Sequence, residues 1–346
     1  RICPSNIILS KNGLMHCYSI LLLFCLVCHN SDSLLYLVKM FVNTDLKYIW
    51  KNGSYEKWED SSVHILSHTV HYGTGVFEGV RAYETDEGAA IFRLNDHTKR
   101  LFDAASKIGV KIPYSKEELN QVQKDIFLKN NLSEGYLRPI VFLGSESLGI
   151  RATELSVNVA IAAWEWPSYM SPESKKNGIS IIKSSYEQYS NPLHSGYKII
   201  GTYINSTMAL HEAIEKGADE ALLLDKNGYI SEGSGENIFL VNKNVISTPK
   251  TDHCLNGITR QSVIQIARDL GFEVIEKDIT YDELVSSDEV FFSGTAVEIT
   301  PISKIDEITI GAGSIGSITE KLQTTYVDIV SGRNNKYKDW LSIVSE

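Results

Sequence analysis

The sequence has almost no cysteine beyond its first 28 residues. Cys3, Cys17, Cys25 and Cys28 fall within that stretch, and Cys254 is the one other cysteine among the 346 residues. The bulk of the chain therefore has no possible internal disulfide. This distribution is typical of a protein from a reducing compartment, and we expect a cytoplasmic location.

The sequence also lacks an apolar run long enough to span a bilayer, which takes about 20 residues. The apolar run at residues 18–28 is too short, and no A-x-A-like cleavage site follows it at residues 29–33. We expect residues 1–39 to be an N-terminal extension that is not part of the fold, with Met40 as the start. A targeting segment is the alternative.

An excess of basic residues is absent as well. The chain carries 43 Asp and Glu against 33 Lys and Arg, which gives a net charge of −10. This balance argues against nucleic acid as the main partner, because neutralising phosphates needs clustered Lys and Arg. It does not exclude an anionic cofactor, which one local pocket can bind. Low-complexity blocks, heptads and internal repeats are also absent, so the length suits a two-domain globular protein.

What is present is an alternation of strand-type and helix-type patterns from Tyr48 onwards, which predicts an α/β (mixed α+β) fold. The predicted strands are residues 75–83, 136–143, 157–164, 179–184 and 220–224, and predicted helices begin near residues 96, 115, 259 and 317. Residues 225–228 (Asp-Lys-Asn-Gly) predict a hairpin turn. The segment Pro167–Asn177 is rich in Pro, Ser, Lys and Asn, and it is the best candidate for a domain linker.

Two local patterns resemble ligand sites. His64, His68 and His71 are spaced to share a helix face, but no H-E-x-x-H motif accompanies them, so a zinc site is the minor alternative to a polar turn. Residues 311–316 match G-x-G-x-x-G, yet no convincing strand with an acidic residue for a ribose follows them. A glycine turn before the last helix is therefore favoured over a dinucleotide site.

The segment from Glu232 to Arg260 points more directly to a ligand. Two glycines beside the Glu232 carboxylate permit a tight turn close to a bound group. Residues 257–259 (Gly-Ile-Thr) open a predicted helix, and a helix N-terminus is a ready site for phosphate. Taken alone, the segment is equally compatible with a hairpin and a helix that bind nothing.

The series E-x-S-x-x-N-I-F … I-x-T … L-x-G-I-T-R in this segment resembles the signature of the class IV (fold type IV) aminotransferases, which use pyridoxal 5′-phosphate (PLP). Within that class the chain is similar to branched-chain aminotransferases. The stretches that carry this resemblance are residues 71–81 (HYGTGVFEGVR), 91–93 (IFR), 135–139 (GYLRP), 198–203 (KIIGTY) and 293–296 (SGTA). The resemblance implies a small α/β domain at residues 40–172 and a large PLP-binding domain at residues 173–346, with PLP between them.

The resemblance also implies a role for each matching position. Lys198 is expected to form the Schiff base with PLP, Glu232 to face the pyridine nitrogen and Tyr203 to face the ring hydroxyl. The phosphate is expected to be held by Arg93, the backbone at Ile258 and Thr259, and Thr295. The substrate pocket is expected to be lined by Phe77, Gly79, Arg81, Tyr136, Arg138, Tyr169, Thr295 and Ala296, and by Tyr72 from the partner subunit, which implies at least a homodimer. No metal is expected.

The chemistry of these residues agrees with such roles. A carboxylate beside the pyridine nitrogen keeps that nitrogen protonated, so that the ring accepts electrons. Strand geometry places Tyr136 and Arg138 on one face of their strand, and the small Gly79 is expected to leave room for a branched side chain. Arg138 is the candidate to pair with the distal carboxylate of glutamate, because it follows Tyr136 on the same strand face. A guanidinium at the pocket edge can pair with that carboxylate and can face water when other substrates are bound. A structural ion pair is the alternative for Arg138.

The implied reaction is ping-pong transamination of leucine, isoleucine and valine with 2-oxoglutarate, which gives branched 2-oxo acids and L-glutamate. The sequence favours no one of the three amino acids, and neither synthesis nor breakdown. Alternatives of the same fold are a D-amino-acid aminotransferase and an aminodeoxychorismate lyase, although the strands around Phe77 and Arg138 argue against both. An NAD-dependent dehydrogenase and a non-catalytic PLP-binding protein are more distant alternatives. The isoleucines at 199 and 200, where smaller residues are common in the family, leave the fine shape of the pocket open.

Overall fold

The computed structural model describes residues 47–166, 170–189 and 196–345. The N-terminal extension expected at residues 1–39 and the predicted pocket residue Tyr169 lie outside these ranges. Within them, none of the helices has both the length and the apolar character needed to cross a membrane.

The first of two sheets is antiparallel and contains eight strands of the described chain. They are β1 (Tyr48–Lys51), β2 (Ser54–Lys57), β3 (Gly75–Phe77), β4 (Val80–Thr85), β5 (Gly88–Phe92), β6 (Gly135–Leu143), β7 (Val157–Trp164) and β17 (Leu341–Ile343). Their order is β17-β5-β4-β6-β7-β1-β2, and β3 pairs with β6 beside β4. Strands β6 and β7 match their predicted ranges to within one residue.

The prediction of one strand over residues 75–83 is wrong, because the strand is interrupted at Glu78 and Gly79. The Glu78 N–H still donates to the Pro139 carbonyl at 2.9 Å. Pro139 has no N–H to donate in return, so the ladder lacks a hydrogen bond at this point. The register is unbroken, since Phe77 lies opposite Ile140 and Val80 opposite Leu137. The two faces of the predicted strand are therefore preserved.

Eight α-helices lie in the described chain. They are α1 (His68–Tyr72), α2 (Leu94–Lys107), α3 (Lys116–Lys129), α4 (Pro172–Asn177), α5 (Tyr203–Glu215), α6 (Ile258–Asp269), α7 (Tyr281–Val285) and α8 (Ser317–Val330). Helices α2 and α3 cover one face of the first sheet, where Leu101, Leu119 and Ile126 are buried together with Val80 and Leu137.

The capping box predicted for α3 is confirmed. The Ser115 hydroxyl accepts from the Glu118 N–H at 3.1 Å, and the Glu118 carboxylate accepts from the Ser115 N–H at 2.6 Å. These bonds satisfy two backbone donors that the first helical turn leaves free. Helix α2 begins at Leu94, two residues before the expected Asp96.

The second sheet is mixed. Its strands are β8 (Ile179–Glu187), β9 (Glu220–Leu224), β10 (Ile230–Gly233), β11 (Asn237–Asn242), β12 (Val245–Thr248), β13 (Glu273–Glu276), β14 (Glu289–Gly294), β15 (Glu298–Ile305) and β16 (Ile308–Thr309). They follow the order β10-β9-β8-β15-β14-β11-β12-β13, with β16 on β15. The hairpin turn predicted between β9 and β10 is confirmed, since the Asp225 N–H donates to the Tyr229 carbonyl at 2.8 Å.

The predicted linker is partly wrong, because residues 172–177 of it form α4. The Ser171 hydroxyl accepts from the Ser174 N–H at 3.0 Å, and Pro172 occupies the first helical position. Both features favour a helix start. The division of the chain into domains at residue 172 stays a prediction.

The glycines at residues 311–316 form a turn that leads into α8, which begins at Ser317 as predicted. Gly311 and Gly313 have φ values of +51° and +73°, which glycine adopts without strain. The next strand after α8 is β17, which pairs antiparallel with β5 of the first sheet. The parallel strand that a dinucleotide site requires is thus not found here, and the dehydrogenase alternative loses its motif.

Candidate active site

Lys198 lies on the segment between β8 and α5, and this segment runs along β3. The Lys198 carbonyl accepts from the Phe77 N–H at 3.1 Å, and Ile199 forms an antiparallel bridge with Val76. The Lys198 Nζ donates to the Tyr203 hydroxyl at 2.8 Å. Burial lowers the pKa of Lys198, but the nearby Tyr203 phenol raises it, and the balance leaves the pKa above its ordinary value. The structure therefore brings the predicted Schiff-base lysine and its predicted tyrosine neighbour together.

A close approach of two glycines seats this segment against the end of α1. The Gly201 N–H donates to the Gly73 carbonyl at 3.0 Å. A Cβ atom on Gly73 would stand 2.4 Å from the Gly201 Cα atom, and Gly73 has a φ of +65°. Any larger residue at Gly73 would push away the backbone that carries Lys198.

Glu232 on β10 is buried, and three donors hold its carboxylate. The Gln188 amide donates to Oε1 at 2.6 Å, the Leu255 N–H donates to Oε2 at 3.1 Å and the Asn237 amide lies 3.4 Å from Oε2. Burial raises the pKa of Glu232 to about 7, although the Leu255 N–H and the Gln188 amide act in the opposite direction. A cationic group beside this carboxylate would relieve the cost of burying its charge.

Glu232 and Tyr203 open onto the same cavity. It is lined by Gln188, Tyr197, Thr202, Tyr203, Ser206, Glu232, Ser234, Gly235, Glu236, Asn237 and Leu255. The predicted partner of the pyridine nitrogen and the predicted partner of the ring hydroxyl therefore face one cavity.

The predicted phosphate site lies at the N-terminus of α6. The first-turn N–H groups of Ile258 and Thr259 have no carbonyl partner within the helix. Arg93, at the start of α2, reaches this turn and donates to the Ser262 hydroxyl at 3.1 Å and the Gln261 amide at 3.3 Å. A guanidinium and free N–H groups thus meet at one helix end, which is the combination that binds phosphate. The half-buried Thr295, predicted for the same site, lies in the turn between β14 and β15.

The predicted substrate residues of β3 and β6 form a chain of contacts that leads to Lys198. The Arg138 guanidinium lies over the Phe77 ring, 4.8 Å from its centroid. The Phe77 ring lies 4.7 Å from the Tyr203 ring, and the Lys198 Nζ lies 5.5 Å from the Phe77 centroid. These contacts place Arg138 on the same side of the sheet as the Lys198 amine.

Arg138 carries hydrogen-bonding capacity that its described neighbours leave unused. Its Nε atom is buried and has no hydrogen-bond partner in the described part of the chain. One Nη atom lies 3.5 Å from the Tyr136 hydroxyl, and no carboxylate within those residues is close enough for an ion pair. The arrangement therefore gives no support to a structural ion pair, and it favours a guanidinium that pairs with a ligand.

The space beside Gly79 was expected to accommodate a branched substrate side chain, but the Tyr136 hydroxyl fills it. A Cβ atom on Gly79 would stand 1.8 Å from the Tyr136 hydroxyl oxygen. Tyr136 is itself fixed by the Trp166 ring, 4.5 Å away, and the Trp164 ring, 5.3 Å away. Glycine at this position therefore makes room for the tyrosine, which in turn shapes the pocket.

Arg81 and Ala296 are brought together behind the pocket. The Arg81 Nη1 atom donates to the Ala296 carbonyl at 3.4 Å, and its Nε atom lies 4.0 Å from the Glu298 carboxylate. Glu298 also forms an ion pair with Lys175. Arg81 thus holds the turn that carries Thr295 and Ala296.

The three histidines of the possible zinc site contact protein oxygens or backbone nitrogen. His68 contacts the Thr74 hydroxyl at 2.6 Å, and His71 contacts the Ile65 carbonyl at 3.1 Å. Residues 47–166, 170–189 and 196–345 hold no cluster of three His, Cys, Asp or Glu side chains suited to a metal. Tyr72, which lies on α1 with His68 and His71, is 43% exposed. Its contact with the site of a partner subunit stays a prediction.

Sequence reasoning missed Gln188 and gave Asn237 no role beyond its place in the motif. Gln188 lies at the end of β8, far along the chain from Glu232, and no local pattern could have identified it. Asn237 donates to the Leu255 carbonyl at 2.7 Å as well as approaching Glu232. Its position in the E-x-S-x-x-N series was a usable signal, since it lies five residues after Glu232.

The model of the family described as amino-transferase class IV matches residues 75–305. The chain belongs to this family. It is 50% identical over 297 residues to the branched-chain-amino-acid aminotransferase of Pseudomonas aeruginosa, across 86% of this chain and 97% of that protein. All of the described site elements from β3 to β15 lie within the matched range.

Solved class IV structures share the fold as well as the sequence. The T.th. branched-chain amino acid aminotransferase with pyridoxamine 5′-phosphate superposes with a TM-score of 0.85 at 43% identity and covers 87% of this chain and 99% of its own. The same enzyme with N-(5′-phosphopyridoxyl)-L-glutamate gives a TM-score of 0.83 at 42% identity, with the same coverage. These matches agree with the predicted fold class, the mixed α/β fold type IV.

Proposed function

We propose that this class IV aminotransferase uses PLP to transfer the amino group of branched-chain L-amino acids to 2-oxoglutarate. The observation that carries the proposal is the placement of Tyr203, paired with Lys198, and of Glu232 at one cavity. The similarity to branched-chain aminotransferases over nearly their whole length supports the choice of substrate.

The residues of the site fit each polar group of PLP. Lys198 would supply the amine for the cofactor's aldehyde, and Tyr203, which contacts that amine, would be the partner of the ring hydroxyl. Glu232 is a buried carboxyl that needs a cation, which a protonated pyridine nitrogen supplies. Arg93 and the N-terminus of α6 suit a phosphate dianion.

PLP, when bound, supplies the electron-accepting ring for the chemistry at the amino acid's Cα atom. Once its amine is neutral, the Lys198 Nζ would be the base placed to remove the Cα proton and to return a proton. The Tyr203 hydroxyl, 2.8 Å from that Nζ, orients the amine. Glu232 would keep a positive charge at the ring nitrogen, and Gln188 and Leu255 hold its carboxylate in place.

The substrate side of the site must accept both an apolar branched side chain and the carboxylate of glutamate. Phe77 offers an apolar surface, and Arg138 offers a guanidinium whose Nε atom has no described partner. We assign the α-carboxylate common to all substrates to Tyr136 and the distal carboxylate of glutamate to Arg138. The T.th. relative bound to a phosphopyridoxyl-glutamate adduct supports glutamate as one substrate.

The proposal includes an assembly of at least two copies, with Tyr72 reaching the partner's site. Several large apolar side chains of residues 63–72 are exposed in this chain, and exposed apolar surface of this kind suits a protein interface. These side chains are Val63, Ile65, Leu66, Val70 and Tyr72. We also propose that the chain divides into two domains at residue 172. A cytoplasmic location is proposed as well, and the single free cysteine of the described chain supports that location.

A substrate panel tests the proposal. The purified protein should convert leucine, isoleucine and valine to 2-oxo acids with 2-oxoglutarate as acceptor and should absorb in the visible range because of bound PLP. Lys198→Ala should abolish repeated turnover, whereas the exposed Lys99→Ala should not. Activity confined to D-amino acids, or a colourless protein that reduces a nicotinamide cofactor, would contradict the proposal. A yellow protein with no turnover would indicate a non-catalytic PLP-binding protein instead.

A further inference from the structure

A buried ion pair lies at Glu78, in the break between β3 and β4. The Glu78 carboxylate is 1% exposed and receives two hydrogen bonds from Arg100, from Nε at 2.6 Å and from Nη2 at 2.9 Å. The His97 Nδ1 atom, also on α2, lies 2.8 Å from the same carboxylate. Burial raises the pKa of Glu78, but Arg100 and His97 outweigh burial and hold the pKa well below its ordinary value. Glu78 and Arg100 are therefore both charged.

The third donor of Arg100 points away from Glu78 and towards the cofactor site. Its Nη1 atom donates to the Asn256 carbonyl at 3.3 Å. The Gln261 amide lies 3.4 Å from the same carbonyl. Asn256 is exposed, and these two side chains together keep its carbonyl from turning towards water.

The residues on either side of Asn256 belong to the site. Leu255 donates its N–H to the Glu232 carboxylate, and Gly257 precedes the first turn of α6. The Asn256 carbonyl shares its peptide plane with the Gly257 N–H, which donates to the Leu255 carbonyl at 2.8 Å. The Arg100 guanidinium on α2 therefore contacts the peptide that joins Leu255, which holds Glu232, to the start of α6.

A buried ion pair is weak evidence of a contribution to stability, because desolvation often exceeds the attraction between the charges. A rigid bidentate pair does, however, leave the remaining N–H donors of an arginine in fixed directions. The fixed direction here is towards the loop at residues 255–257. Lysine could pair with Glu78, but its compact ammonium lacks the planar fork with which Arg100 reaches both carboxylate oxygens and the Asn256 carbonyl.

We propose that Arg100, held bidentate by Glu78, is a positioning residue for the cofactor site, acting through the Asn256 carbonyl on Glu232 and on the start of α6. The inference rests on the proposed function, in which Glu232 contacts the pyridine nitrogen and α6 the phosphate. Arg100 itself contacts no reacting atom. The class IV signature residues alone do not supply this positioning.

The test compares Arg100→Lys with the exposed control Arg333→Lys in the full chain. The PLP dissociation constant is measured by fluorescence during titration of the cofactor-free protein, and thermal unfolding of that cofactor-free protein is followed separately. Arg100→Lys should raise the PLP dissociation constant about 10-fold or more, in line with loss of a charge-assisted hydrogen bond, while the control leaves it unchanged. If Arg100→Lys does not fold, Glu78→Gln combined with Arg100→Gln removes both buried charges and should show the same loss of affinity.

A double-mutant cycle with Glu232→Gln separates positioning from general destabilisation. Because Arg100 acts through the loop that holds Glu232, Arg100→Lys should lower kcat much less in the Glu232→Gln background than in the wild type. Equal losses in both backgrounds, or an unchanged PLP dissociation constant, would overturn the role of Arg100. Wild-type protein that fails to bind PLP would instead overturn the proposed function.

Discussion

The Tyr136 hydroxyl oxygen lies 1.8 Å from the point where a Cβ atom on Gly79 would stand, so the two side-chain positions exclude each other. Gly79→Ala must therefore displace the tyrosine, which two tryptophan rings hold in place. A shift of about 1 Å at a substrate-binding group costs on the order of 10²-fold, and we expect such a loss in kcat/KM for isoleucine.

The matched control for this prediction is Gly79→Ala combined with Tyr136→Phe. Removing the hydroxyl relieves the worst contact, so the double variant should recover thermal stability relative to Gly79→Ala alone. It should not recover the affinity for the α-carboxylate, because that affinity is assigned to the hydroxyl. Full activity in Gly79→Ala would show that the pocket adjusts and that the pairing of these residues is unimportant.

Glu232→Gln should leave PLP bound but slow the reaction. The amide cannot stabilise a positive charge on the ring nitrogen, so the electron-accepting power of the cofactor falls. We expect turnover to fall about 10²-fold or more, as when a charge-stabilising group is removed from an active site. Single-turnover absorbance measurements would record the step directly, with the exposed Glu84→Gln as control. Near-normal turnover would assign this role to another residue.

The stability of the cofactor-free protein should depend on the protonation of Glu232. Its pKa is raised by burial to about 7 from an ordinary value of 4.5, so the folded chain binds this proton more tightly than the unfolded chain. The group therefore stabilises the fold fully below pH 4.5, and this stability is lost as the pH rises to about 7. The loss is on the order of 3 kcal/mol.

Chemical denaturation of cofactor-free protein at several pH values would measure this effect. The difference in unfolding free energy between wild type and Glu232→Gln isolates the contribution of this one carboxyl. As the pH rises from 4.5 to about 7, the unfolding free energy of the wild type should fall relative to that of Glu232→Gln. A difference that stays constant over the window would show that Glu232 is not buried as described.

Arg138→Leu should separate the two halves of the reaction. Loss of a charge-assisted pair with the distal carboxylate costs on the order of 2–4 kcal/mol, so kcat/KM for glutamate and 2-oxoglutarate should fall about 30- to 1,000-fold. Isoleucine, which has no distal carboxylate, should be affected far less. The half-reactions are measured separately, with Arg333→Leu as an exposed control. Equal losses for isoleucine and 2-oxoglutarate would refute the assignment.

Much of the fold could be predicted from local patterns. The ranges of β6, β7, β9 and α8 follow from hydrophobic periodicity, and the start of α3 follows from its capping box. The start of α4 could also have been predicted, because Ser171 and Pro172 favour a helix start, although the composition of the segment suggested a linker. The break in the strand at Glu78 could not be predicted from the local sequence, because it arises from Pro139 on a strand about 60 residues away in the sequence.

In the candidate site, too, some residues could be predicted from the sequence and others could not. The signature series singled out Glu232, and the resemblance singled out Lys198, Tyr203 and Arg93, of which the Lys198 amine and the Tyr203 hydroxyl lie in direct contact. The partners that tune these residues come from distant parts of the chain, as Gln188 does for Glu232. The relation of Gly79 to Tyr136 likewise depends on pairing between β4 and β6 and on the packing of tryptophans that no local pattern reveals.

Borohydride reduction of the purified enzyme tests the central claim most directly. Reduction fixes the cofactor to the amine that carries it, and peptide mass mapping then identifies that residue. Our account predicts a single pyridoxyl label on Lys198, lost in Lys198→Ala and kept in Lys99→Ala. A label on any other lysine, or no label on protein that catalyses transamination, would contradict the account.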